Sequence, residues 1–132
     1  MYIRFVTPEL DQWSGAETGF FQSAIAVKYR ESPADDWIRD EITDQLGWFN
    51  EHLDAPEKLD RAAGRHGRIY GICWFRPEAV EAISRARYVA WLLTEVGVHV
   101  LGLERRDPGE IIWHDDMQVV AKPPRDLPRL FR

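Results

Sequence analysis

The chain has a single cysteine, Cys73, so no disulfide can close within it. A lone cysteine inside an apolar run reads as a buried thiol acting as a small hydrophobe, not as a nucleophile. No apolar run approaches the ~20 residues that a membrane-spanning helix requires. The first residues lack the basic, apolar and small-residue succession of a secretory signal. Together these features point to the cytosol and away from a membrane. Positive charge is also short: the formal net charge is −5, and an acidic chain is a poor non-specific binder of nucleic acid. G-x-S-x-G, Walker, H-E-x-x-H and C-x-x-C patterns are all missing. With them go the usual nucleophile elbow, phosphate cradle, zinc-protease helix and redox pair. No cofactor is expected, and neither a repeat nor a low-complexity tract interrupts the chain.

What the chain does have is a strand–helix–strand unit from Arg68 to Arg105. Ile69 to Phe75 is short, apolar and aromatic, which favours a strand. Its two alternating sets are Ile69, Cys73, Phe75 and Tyr70, Ile72, Trp74, apolar on both sides, as in a central strand. Pro77 suits a first helical turn, and Glu78 and Glu81 complement the helix dipole there. Val80, Ile83, Ala86, Ala90 and Leu93 recur at helical spacing as the buried stripe. Gly97 is the expected left-handed stop. Val98 to Leu103 alternates as a second strand. Two strands joined by one helix are most simply parallel neighbours.

Tyr2 to Thr7 reads as a strand ended by Pro8. Ser14 to Glu17 has capping-box spacing and opens a helix running to about Arg30. Ser32-Pro33 opens a second helix, along which Ile38, Ile42, Leu46, Phe49 and Leu53 form the cleanest apolar stripe in the chain. Asp54 to Arg68 is an internal linker with a basic, glycine-bearing end. Glu110 to Trp113 and Met117 to Ala121 are strands joined as a hairpin through His114-Asp115-Asp116. Either His114 or Trp113 faces Met117, depending on turn length. Residues 123–132 read as an extended tail. At 132 residues this is one α+β domain, with a mixed sheet of about five strands and three helices in the order βααβαβββ.

Three groups of residues carry candidate functions. Residues 31–60 hold ten acids against Arg39 and Lys58, whereas the segment from Lys122 to Arg132 is basic. Trp37 and Trp48 lie eleven residues apart on one flank of the acidic helix. With Asp40, Glu41 and Asp44 they are the candidate contact surface for another protein, of basic character, or for a second copy of the chain. Arg4, Tyr70, Trp74, His99 and Gln118 all fall on expected strands. Sharing one sheet face, they would make a ligand platform, the one route by which nucleic acid would be bound. Glu110, His114, Asp115 and Asp116 are the alternative, a hairpin-tip site for a divalent ion in a small hydrolase or nuclease. The plainer reading of that cluster is a polar turn, since aspartate is favoured in turns.

M-Y-I-R-F-V at the start, G-I-C-W-F-R in the middle and D-D-x-Q-V-V-A-x-P near the end resemble a family of small bacterial proteins of unknown function, widespread in planctomycete-type genomes. The W-F pair near the end of the second helix belongs to the same resemblance. It implies a single bacterial cytosolic domain and brings no activity, substrate or catalytic residue. The reading that follows is a non-enzymatic, accessory or inhibitor-like binding protein.

Overall fold

The structure is a computed structural model, and it describes residues 1–10, 17–29, 36–53 and 71–122. In chain order the elements are β1 (Tyr2–Leu10), β2 (Glu17–Gly19), α1 (Phe20–Lys28), α2 (Asp36–His52), β3 (Ile72–Phe75), α3 (Val80–Glu95), β4 (Leu101–Arg105), β5 (Glu110–His114) and β6 (Gln118–Lys122). The α+β class and the order of elements agree with the sequence, apart from the added short strand β2. Tyr70, the basic run Arg61–Arg68, both serine caps and the tail 123–132 lie outside the described residues.

The sheet runs β4-β1-β3-β6-β5, with β2 paired to the far end of β1. Every pairing among the described residues is antiparallel, so the described sheet is antiparallel and not mixed. β3 and β4 do run parallel to each other, as the strand–helix–strand pattern requires. They are not neighbours, because β1 pairs with both and lies between them. The helix α3 therefore crosses over one intervening strand. Pro8 does not end β1. The strand continues to Leu10, and its register with β2 shifts between Val6 and Leu10. An irregular stretch tolerates a residue without an N–H donor.

Helix starts moved more than helix stripes. Residues 17–19 are strand, so α1 begins only at Phe20. After β3, Pro77 and Glu78 form a turn closed by Ala79 N–H donating to the Arg76 carbonyl (3.0 Å), and α3 begins at Val80. Of the expected stripe, Ile83, Ala86 and Leu93 are buried and Ala90 packs on the core, whereas Val80 is 72% exposed; Ala82, Val89 and Leu92 complete the buried face. At the other end Gly97 has φ +86. Its N–H donates to Thr94 O (3.0 Å), and Val98 N–H donates to Leu93 O (2.9 Å), which is a Schellman stop.

The stripe of α2 holds as read: Ile38, Ile42, Leu46 and Phe49 are buried, with Leu53 packed at the edge of the same core. These residues, the α3 face and Phe20, Ala24 and Val27 of α1 form one core with Phe5 and Phe75 of the sheet. Strand alternation places Ile3, Phe5, Cys73, Phe75 and Gln118 on this helix-covered face. The opposite face carries a second cluster of Ile72, Trp74 and Val119, with Tyr2 and Leu103 packed on it. Cys73 is half-buried, less enclosed than its apolar surroundings suggest.

Candidate interaction surface

Two helices make the surface. Spacings of four, four and three put Trp37, Glu41, Gln45 and Trp48 on one line of α2, one position off its buried stripe. Arg85, Tyr88 and Trp91, three residues apart, line the matching side of α3. The two lines meet as a seam. The Trp37 and Trp91 rings lie 6.3 Å apart and tilted at 54°. Tyr88 Oη donates to Glu41 Oε2 (3.0 Å), and Arg85 Nη1 donates to Gln45 Oε1 (3.2 Å). As the α2 numbers rise, their α3 partners fall, so the helices run antiparallel.

The two ends of the seam differ. At the Trp48 end every group is engaged. The Arg85 guanidinium lies 4.6 Å from the Trp48 ring centroid and donates to Glu81 Oε1 through Nε (3.2 Å) and Nη2 (3.0 Å). His52 stacks on Trp48 at 4.3 Å and 14°, and Phe49 meets it edge-on at 5.2 Å. Gln45, Glu81, Ser84, Arg85 and Tyr88 line an open groove of about 340 Å³ beside this end. Burial, and then the Glu41 carboxylate facing it, raises the Tyr88 hydroxyl above its ordinary pKa. The phenol therefore stays protonated as the donor in this contact.

At the other end the rings are open. Trp37 is 52% exposed and Trp91 50%, and Tyr88 stacks on Trp91 at 6.0 Å and 18°. Asp36, Asp40 and Asp44 are exposed along the outer rim of α2, with Asp36 paired to Arg39. Trp37, Glu41 and Trp48 belong to the seam, and Asp40 and Asp44 border it. Trp48 is half-buried and structural in its contacts, so only Trp37 of the two sequence-selected tryptophans presents an open ring. Trp91, Tyr88 and Arg85 were not anticipated. Their signal was three large side chains at helical spacing off the apolar stripe of α3.

The sheet platform does not assemble as one open face. Arg4 and Trp74 fall on the face opposite the helices and, continuing the Ile3–Phe75 register, face each other across β1 and β3. Both are buried, at 8% and 1% exposure. Gln118 pairs with Phe75 and so lies on the helix-covered face. His99 is exposed and precedes β4, so it is not a strand residue. Tyr70 is outside the described residues.

The hairpin-tip cluster is likewise dispersed. His114 pairs with Val119 and Glu110 with Lys122, a register different from both sequence alternatives. The Asp115 side chain accepts the N–H groups of Met117 and Gln118, each at 2.8 Å, and so builds the turn. Glu110 and His114 lie at opposite ends of β5 and, given the register shift between Ile111 and Trp113, on opposite faces. Glu110 sits 3.9 Å from Lys122 Nζ. Among the described residues no three His, Cys, Asp or Glu side chains gather as a metal site, and no helix is long and apolar enough to cross a membrane.

The chain matches no known protein family, no curated protein and no solved structure.

Proposed function

We propose that this chain is a non-enzymatic binding protein of the bacterial cytoplasm, an accessory or inhibitor-like module that works by contact with another protein. The observation that carries this reading is the half-exposed ring pair Trp37 and Trp91, contributed by two different helices and bordered by carboxylates. Tryptophan and tyrosine are the residues that most often anchor interfaces. Of the charged side chains in α2, Asp36, Asp40, Glu41, Asp44 and Glu51 stand against Arg39 alone, which favours a basic partner and speeds its approach. A second copy of the chain, docking through the same surface, is the homodimeric version of this reading.

The experiment is affinity capture from extract of the native host with two baits, the wild-type full chain and the Trp37→Ala/Trp91→Ala variant. Each ring is half in solvent, so the variant keeps its fold by circular dichroism. At least one protein, or the chain itself, is enriched on the wild-type bait and reduced by about tenfold or more on the variant, as expected for anchors worth ~2 kcal/mol together. Identical captured sets on the two baits would defeat the proposal.

A further inference from the structure

We propose that the Trp37–Trp91 end of the seam seats an arginine side chain from a basic segment of the partner. This rests on the reading above and names the chemistry that the surface takes. The chain carries its own template for the seat. Eleven residues further along α2, the guanidinium of Arg85 covers the Trp48 ring at 4.6 Å. The same guanidinium donates to the Glu81 carboxylate and to the Gln45 amide oxygen. One planar cation thus satisfies an indole face, a carboxylate and an amide at once, the combination for which a guanidinium is suited and an ammonium is not.

The Trp37 end repeats two of these parts on its open side. Trp37 and Trp91 are half-exposed rings held at 54° to each other. Asp40 stands one helical turn from Trp37 on the exposed rim, and Asp44 one turn beyond it. The Glu41 carboxylate, fixed by the Tyr88 hydroxyl, lies on the Trp37 line of α2. Among the described residues, basic side chains lie over the rings of Tyr29, Trp48 and Phe5 and not over Trp37 or Trp91. The charge of α2 selects a cation, the paired rings select a flat one, and their half-exposed position leaves them open to one carried by a partner. A flat apolar partner would match the rings but leave the acidic rim unanswered.

The test uses the full chain labelled with ¹⁵N, following the indole N–H signals assigned by single Trp→Phe variants. The probe is a blocked tetra-arginine peptide, with blocked tetra-lysine and tetra-glutamate peptides as comparators. The arginine peptide is expected to move the Trp37 and Trp91 signals saturably, the lysine peptide to bind more weakly and the glutamate peptide to leave them unmoved. Trp37→Ala should raise the half-saturation concentration about fivefold, and Asp40→Asn about twofold. No saturable movement of either indole with the arginine peptide overturns the seat, and so does lysine binding as strong as arginine binding. Equal binding by the wild-type and Trp37→Ala chains overturns it as well. The two proposals fail separately. A partner lost with the ring pair, but without any response to arginine, removes the arginine seat and leaves the binding surface. An arginine response without differential capture does the reverse.

Discussion

Alanine at position 49 is expected to lower the stability of the fold by about 3–5 kcal/mol, the usual loss for truncating a buried phenylalanine. Phe49 is 3% exposed and joins α2 to α1 and to the sheet in the main core. Its ring lies 6.5 Å from Phe20 and 5.1 Å from Phe21 of α1, 5.2 Å from its neighbour Trp48, and 6.2 Å from Phe75 of β3. Most of these rings meet edge to face, a geometry worth something beyond the area each buries. Truncation removes the common partner of several rings that cannot all collapse into one void. Urea unfolding of the variant should show a lower midpoint at unchanged slope. A loss under about 1 kcal/mol, well below the range for such truncations, would mean that α1, α2 and the sheet do not share one core.

Trp74 supports a second expectation on the opposite face of the sheet. It is 1% exposed and clustered with Ile72 and Val119, and among the described residues its Nε1–H has no hydrogen-bond partner. Trp74→Ala should cost about 3–5 kcal/mol through the cavity it leaves. Trp74→Phe removes part of the packing and also removes a buried donor whose lack of a partner costs ~1–3 kcal/mol. The two effects oppose each other, so the phenylalanine chain should stay within about 1–2 kcal/mol of wild type. Equal losses for the two variants would show that the indole N–H is satisfied in solution.

The parts of this fold that were legible in the sequence are those fixed by local period. Ile38, Ile42, Leu46 and Phe49 repeat over about three turns, and one apolar stripe is the only way to satisfy them. Gly97 announced the end of α3 because only glycine adopts its φ without strain. The stripe of α3 held except at Val80, since nothing local says whether Pro77 enters the helix or turns before it. The order of strands was illegible for a different reason. That β1 lies between β3 and β4 is decided by pairing across most of the chain, while the strand–helix–strand pattern encodes only direction. Register was equally hidden. The Asp115 turn and the shift near Ile112 decide which face each residue of β5 takes, and a slip of one residue exchanges the faces.

The candidate surface was half legible. Trp37, Glu41 and Trp48 could be placed on one flank of α2 from spacing alone, and their neighbours Asp40 and Asp44 beside them. That the flank meets α3, and that Trp91 rather than Trp48 is the open partner of Trp37, required the antiparallel packing of two helices distant in sequence. The same packing turned Trp48 from an expected contact into a support, in contact with both Arg85 and His52.

The most direct test of the surface is hydroxyl-radical footprinting of the full chain, free and saturated with the partner that it captures. Oxidation of Trp37 and Trp91 should fall on binding, since both rings are half exposed in the free chain. Ile111 on β5 and Tyr29 at the end of α1, also exposed, should keep their rates. Protection of Ile111 or Tyr29 with Trp37 and Trp91 unchanged would place the contact elsewhere and contradict the account.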